Sequence, residues 1–432
     1  MKLEAFQANE AESCSYLIAI IVARPPAARR AREVESRPVS AKTRTEVLIV
    51  GGGIGGVASA LALARRGLRS RVLEKAPEFG EIGYGIQQGP NAYRMLDWLG
   101  VMRDLESQAV FTKNLILIDA LTDKELTRIS CGASFRGHFR APYTVVHRRD
   151  LHGALLEACR KRDEISLHTS KELVSFDDRG DGVVAKFADG SEYEGRAMIG
   201  ADGLRSRVRE ILIGDGPPRP AGHVTYRGVV PFDQVKDQSH FDDMVIWIGP
   251  NLHFVQYRLR GGTVMNNVAT VASRKFENGE RQDYGGPDEL MEVFSRTTPQ
   301  VQEMLGYVGK DKNWVLHDRE PRSGWTRGNV ALLGDAAHPT LQYLAQGACM
   351  AIEDAVVLSG LLEKAGSEVA AALAAYEKER YLRTARVTIT SRIFGDIIHA
   401  NGGARDLRNH LLAQRTPETF WEVDWLYRGI EV

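Results

Sequence analysis

The sequence predicts an α/β fold: a mainly parallel sheet, interrupted by an inserted antiparallel sheet and finished by C-terminal helices. Three observations predict it. A buried-strand run at 46–50 leads directly into a glycine loop and an alanine-rich helix. Strand-like segments separated by turn signals crowd the stretch 221–275, and long helical runs occupy 347–398.

Residues 1–44 pass from an acidic start through a short apolar stretch at 16–23 to Arg24-Pro25-Pro26 and the basic Arg29, Arg30 and Arg32, with no sustained period. Two readings stand for them, a disordered extension and a targeting or membrane-surface segment. Order is expected from Thr45. Val47-Leu48-Ile49-Val50 is the continuous apolar run of a parallel strand covered on both faces. Residues 57–66 are rich in Ala and Leu and read as a helix, which Gly67 ends at a left-handed cap. A second strand is expected at 70–73. Farther on, 225–230, 244–248, 253–260 and 264–271 read as strands of the inserted sheet, with Gly261-Gly262 as the turn between the last two. An apolar strand at 330–333 precedes helices expected over 347–365 and 368–398.

The chain has 432 residues, enough for about two or three domains, with 56 Lys and Arg against 56 Asp and Glu. A net charge of zero gives no field to hold a polyanion, so nucleic acid is not an expected partner. Cys14, Cys131, Cys159 and Cys349 lie far apart and form no CxxC pair, which argues against a zinc ribbon, a dithiol redox centre or a secreted disulfide scaffold. No metal is expected, and the reducing cytoplasm is the expected compartment. The apolar stretch near the start falls well short of the ~20 residues that span a bilayer, so neither a membrane span nor an export signal is expected.

Gly51-Gly52-Gly53-Ile54-Gly55-Gly56 fits GxGxxG between a buried strand and a helix, and Glu74 closes the second strand. Gly51 suits the tight turn, Gly53 lets backbone approach a pyrophosphate, and Gly56 permits close helix packing. The helix N-terminus offers free N–H groups to the anion, and Glu74 suits a ribose. The motif alone leaves NAD and FAD open, and a purely structural glycine turn as well. Gly200-Ala201-Asp202-Gly203 and Gly334-Asp335-Ala336-Ala337-His338-Pro339 each place an acid beside a glycine after a strand-like run, where α/β folds bind ligands.

The order GxGxxG, a DG segment, then GDAAHP followed by Gln346-Gly347 and Glu353-Asp354-Ala355 resembles the single-component FAD-dependent aromatic hydroxylases over about residues 45–395. The resemblance implies a discontinuous Rossmann-like FAD domain, 45–220 and 315–395, a substrate domain at 221–314 and a C-terminal segment at 396–432. It implies that Gly51, Gly53, Ile54, Gly55 and Gly56 hold the pyrophosphate, and that Glu74 and Lys75 meet the adenosine end. Arg148, in an R-x-D-L-like segment, is implied on the flavin side, with Asp202 and Gly203 serving FAD and the nicotinamide donor. Asp335 is implied at the ribityl or pyrophosphate part, and Ala348 and Cys349 at the isoalloxazine. Plainer readings also stand: Arg148 as a surface cation, Asp202 as a turn former. With a single GxGxxG the reductant must visit the flavin from a groove. NADH is the expected donor, NADPH remains open, O2 is the oxidant, a small aromatic acid the substrate, and a homodimer the expected form if the chain self-associates.

On 253–260 a period of two puts His253, Val255, Tyr257 and Leu259 on one face and Phe254, Gln256, Arg258 and Arg260 on a more polar one. His253 and Tyr257 read either as satisfied core residues or as partners for a phenolic acid. His253-Phe254-Val255-Gln256-Tyr257 together with Leu341-Gln342-Tyr343-Leu344 is similar to the 3-hydroxybenzoate 6-hydroxylases, where the matching His, Tyr and Gln surround the substrate. Salicylate and 6-hydroxynicotinate hydroxylases share most motifs, and Gln342, where many relatives have proline, argues against them. Arg258 departs from the proline common after this Tyr. On this reading His253, with an ordinary pKa near ~6.5, takes the phenolic proton, Gln342 holds the same oxygen, and Tyr257 binds substrate. His338 is expected to fix its loop.

Overall fold

Val47, Leu48, Ile49 and Val50 are all buried, because the strand Thr45–Val50 lies inside a parallel sheet, between Ser70–Leu73 and Glu192–Gly200. The computed structural model describes residues 45–80, 83–279 and 284–431, so the two readings of 1–44 lie outside the described residues. Ile165–His168 continues this sheet on one side and Val330–Leu332 on the other, both in parallel. Helix Ile54–Arg65 packs against Arg148–Arg160 and Gly347–Lys364. All the expected strand and helix runs of this half are present within a few residues of the expected bounds.

The second sheet has seven strands, in the order Asn313–Asp318, Arg219–Pro231, Val264–Ala272, Leu252–Leu259, Met244–Gly249, Asn114–Asp119 and Glu125–Ser130. It is not confined to 221–314 as expected. Two strands from before residue 221 join it, and Asn114–Asp119 runs parallel to Met244–Gly249, the one parallel pair in an otherwise antiparallel sheet. Helices Pro287–Phe294 and Pro299–Leu305 cover its back, where Phe254 and Trp247 pack with Leu290, Phe294 and Val301. The expected polar character of the Phe254 face is therefore corrected. Phe254 is fully buried, Gln256 donates to Asn267 Oδ1 inside the sheet, and Arg258 lies 4.5 Å over the ring of Phe232.

A small sheet of Gly85–Gln88, Thr144–His147 and Val110–Phe111 adds a third layer. The 30-residue helix Val369–Ile398 then braces the cofactor half. Its Arg380, fully buried, pairs at 2.7 Å with both Glu353 and Asp354 of helix Gly347–Lys364, and Arg383 adds a further bond to Glu353. Asp354 also holds His338 Nε2 at 2.6 Å, which ties the GDAAHP turn to two helices and fits the loop-fixing role expected of that histidine. Buried charges need this kind of mutual compensation, because a lone one is strongly disfavoured. The segment expected at 396–432 adds two helices, Gly402–Leu412 and Trp421–Tyr427.

Candidate active site

A cavity of about 1520 Å³ runs from the glycine loop to the cavity face of the seven-stranded sheet. At its cofactor end, Gly51 sits at φ +107°, and a Cβ there would stand 2.4 Å from the Ala201 carbonyl oxygen. Only glycine fits. Gly51, Gly53, Ile54 and Gly55 line the cavity beside the N-terminus of helix Ile54–Arg65, whose first N–H groups have no partner within the helix. Gly56 does not line it. A Cβ on Gly56 would lie 2.0 Å from the Gly51 carbonyl oxygen, so this residue serves loop packing and not contact, a correction to the implied pyrophosphate role.

Glu74 and Lys75 line the same end. Glu74 already accepts the Gly52 N–H at 2.6 Å and the Ala76 N–H at 2.8 Å, which fixes the carboxylate in place while leaving it lone pairs to offer. Asp202 and Gly203 also line the cavity, but the Asp202 carboxylate accepts from the Ser206 hydroxyl and from the Arg207 and Val208 N–H groups, at 2.7 and 3.1 Å for the last two. It therefore secures the start of helix Arg207–Leu212, as the plainer reading had it, and holds Gly203 at φ +79°. Asp335 is different: its side chain is exposed on the cavity and has no partner among the described residues. Arg148 lines the cavity, its backbone N–H bonded to the Tyr84 carbonyl at 2.8 Å. Ala348 lines it too. Cys349, expected at the flavin ring, does not: it is fully buried away from the cavity, among Tyr143, Val145 and Met350, where burial pushes its thiol up to about 12.

The substrate end is set by strand register. His253 pairs with Thr270, which pairs with Thr225; Val255 pairs with Val268, which pairs with Arg227; Tyr257 pairs with Asn266. Three cross-strand rows therefore face the cavity, with His253 in the first, Arg227 in the second and Tyr257 in the third. Leu259, expected on this face, packs in the neighbouring core and does not line the cavity. Gln342 crosses the first two rows. Its Nε2 donates to Thr225 and Thr270 at 3.1 and 3.0 Å, and its Oε1 accepts from Arg227 at 3.0 Å. Arginine can only donate, so this amide orientation is fixed and both of its hydrogens are spent. Gln342 thus has no hydrogen left for a phenolic oxygen, contrary to the simple expectation.

Burial, reinforced by neighbouring His223, lowers His253 to about 3, so its ring is neutral near pH 7. The expected proton acceptor of ordinary basicity is corrected on that ground: a desolvated imidazole resists charge. Burial raises Tyr257 to about 12, with Arg227 and a bond to Gln87 opposing. Tyr143 donates to the same Gln87 at 2.5 Å.

Several cavity residues escaped sequence reasoning. Arg227 is half-buried over the ring of Tyr84, with no carboxylate partner among the described residues. Strand alternation carried a signal, since His223, Thr225 and Arg227 share one face of an otherwise apolar strand. Tyr427, of the last helix, lines the cavity and belongs to no motif, and neither does His399, which follows the long helix and stands behind His253 without lining the cavity itself. Among the described residues no group of His, Cys, Asp and Glu is arranged to hold a metal ion, and no helix is long and apolar enough to cross a membrane.

A family model described as "FAD binding domain" matches residues 44–391. The 3-hydroxybenzoate 6-hydroxylase 1 of Aquipseudomonas alcaligenes is 45% identical over 386 residues, covering 88% of this chain and 97% of that protein. The chain belongs to the FAD-dependent aromatic hydroxylases. The 3-hydroxybenzoate 6-hydroxylase of Polaromonas naphthalenivorans strain CJ2 is 43% identical over 382 residues, 88% of this hydroxylase and 95% of its relative. Among solved structures, Klebsiella pneumoniae HpxO complexed with FAD and uric acid superposes with a TM-score of 0.78 at 26% identity, covering 89% of this chain and 96% of that one.

The residues of this hydroxylase fit FAD. The Gly51 and Gly52 positions exclude any Cβ, a helix N-terminus opens beside them, and the unpartnered Asp335 carboxylate stands farther along the same cavity. That sequence of backbone donors, acidic side chains and small residues at Gly347 and Ala348 suits a dinucleotide lying along the parallel strands' carboxyl ends.

Proposed function

We propose that this hydroxylase converts 3-hydroxybenzoate to 2,5-dihydroxybenzoate, adding one oxygen atom from O2 at the ring carbon para to the phenolic hydroxyl, with NADH as the reductant. The observation that carries the reading is the set of rows on the cavity face, where a neutral histidine and, two strands away, an arginine with no carboxylate partner among the described residues face one apolar-walled space. The names borne by the two relatives at 45% and 43% identity support it.

Bound FAD supplies the chemistry of passing electrons from NADH to O2 and one oxygen atom to the ring. The chain's own residues then orient the acid. His253 meets the phenolic oxygen; Arg227 and Tyr257 meet the carboxylate, a charge-assisted contact for a half-buried guanidinium that has no carboxylate partner among the described residues. Gln342 acts through Arg227, which it holds by its carbonyl oxygen. Val255, Val268 and Ile246 supply the apolar wall for the ring. Asp202 and Gly203 serve the nicotinamide groove as parts of a fixed turn. A cytoplasmic setting agrees with the nicotinamide donor and with the buried free thiols Cys131, Cys159 and Cys349.

The test is to follow NADH and O2 consumption by the purified holoenzyme with 3-hydroxybenzoate, salicylate, 4-hydroxybenzoate and 6-hydroxynicotinate, and to identify the products. Coupled formation of 2,5-dihydroxybenzoate from the first is the expected result. Catechol from salicylate as the dominant product, or NADH oxidation with no hydroxylated acid at all, overturns the proposal.

A further inference from the structure

His399 follows the last turn of the long helix Val369–Ile398 and lies outside residues 44–391, the part matched by the family model. It is buried, and its backbone is locked: its N–H donates to the Gly395 carbonyl at 3.1 Å and its carbonyl accepts the Asn251 N–H at 3.0 Å. Its Nε2 lies 2.8 Å from His253 Nδ1, and the two rings meet edge to edge, with centroids 5.1 Å apart and planes 26° from parallel. His399 Nδ1 is fully buried and has no partner among the described residues. Tyr343 packs edge-on against both rings, at 5.4 and 5.6 Å, and bonds His223 Nδ1, while His223 stands edge-on 5.1 Å from His399. The nearby cation, Arg408, is occupied with the Ile397 and Ile398 carbonyls.

A neutral imidazole carries one hydrogen, and the 2.8 Å contact uses one. If His253 donated it, the hydrogen of His399 would sit on Nδ1, a buried N–H with no acceptor. If His399 donates from Nε2, only a bare lone pair is left inside, and orphaned N–H groups are the rarer and more costly of the two. The second arrangement moves the hydrogen of His253 to Nε2, the nitrogen left free of protein partners in a ring that lines the cavity. Burial holds all three histidines below their ordinary pKa, which removes the doubly protonated alternatives near neutral pH.

We propose that His399 is a positioning residue for His253, holding it in the Nε2–H tautomer, so that His253 offers the substrate's phenolic oxygen a hydrogen-bond donor and not a vacant base. The inference rests on the reading that a phenol occupies this cavity. A donor at that oxygen favours phenolate over phenol, and the proton leaving the phenol passes to solvent and not to His253.

Two measurements test it. In holoenzyme labelled with ¹⁵N-histidine and free of substrate, with the resonance of His253 identified by its loss in His253→Asn, the expected spectrum shows Nε2 protonated and Nδ1 bare; the reverse pattern overturns the proposal. With 3-hydroxybenzoate bound, the apparent pKa of the phenol, read from its near-ultraviolet difference band, and kcat are compared in His399→Gln, which keeps a donor near the Nε2 position, and His399→Leu, which does not. Leucine is expected to raise the phenol's pKa by about one unit and lower kcat about tenfold, with glutamine restoring most of both. Equal losses in both variants, or none in leucine, overturn it. The tautomer can be read even if no phenol is turned over, so failure of the substrate assignment and failure of this inference are separable.

Discussion

A Cβ added to Gly85 would lie 2.5 Å from both the ring edge and the hydroxyl of Tyr257, so this glycine exists to let the tyrosine reach the cavity. Gly85→Ala is expected to displace Tyr257 and raise KM for the aromatic acid about tenfold while FAD content stays near one per chain, measured by flavin absorbance beside steady-state rates. Arg227→Met carries a sharper expectation: loss of a charge-assisted contact worth about 1.5–3 kcal/mol weakens acid binding roughly ten- to a hundred-fold, yet leaves a neutral phenol such as 3-hydroxybenzamide bound about as before. Equal weakening for both ligands would remove Arg227 from carboxylate recognition. At this scale the sequence was readable where a short period governs side-chain direction. His253 and Tyr257 share a face because a strand repeats every two residues. His399 could not be found that way, since its place depends on where a distant helix ends.

Among the elements, the long helix Val369–Ile398 packs its Gly395 against Tyr343, where an added Cβ would come within 2.8 Å of the ring. Alanine in a helix is ordinarily better than glycine by about 0.5–1 kcal/mol, so the overlap decides the sign. Gly395→Ala should push Tyr343 off the histidine cluster and lower coupling, seen as more hydrogen peroxide per NADH, with little change in flavin content. A variant as well coupled as the parent would show that Tyr343 moves without consequence. The strands and helices themselves were legible because their apolar runs and glycine punctuation are local. Membership of a sheet is not local: nothing within 114–130 announces that it pairs with 244–249. Cys349, expected at the flavin ring, directly follows a cavity-lining alanine in a helix that turns by 100° per residue, which carries its side chain away from the cavity.

For the molecule as a whole, the cluster of His223, His253 and His399 sets an acid limit. In the unfolded chain each has a pKa near ~6.5, whereas in the fold burial lowers His223 to about 4 and His253 to about 3, and takes His399 well below its ordinary value. Below pH ~6.5 the unfolded state therefore binds more protons than the folded one, and stability falls on acidification by up to about 1.4 kcal/mol per pH unit for each ring. Urea midpoints of the holoenzyme should drop steeply between pH 7 and pH 5, and less steeply in His399→Gln. Identical slopes would place the acid sensitivity elsewhere.

The strand Asn114–Asp119 has Glu125–Ser130 beside it on one side, but on the other its partner is Met244–Gly249, roughly 130 residues later in the chain. The parallel sheet waits longer still, since Val330–Leu332 joins Glu192–Gly200 only after the whole second sheet has been made. During synthesis, then, a strand edge rich in leucine and isoleucine emerges well before its mate, and loop closure over such spans is slow. The same interleaving that lets two sheets share one cavity leaves that strand edge unpaired over a long stretch of synthesis, and it puts the cavity-lining residues at 333–348 in the last third of the chain.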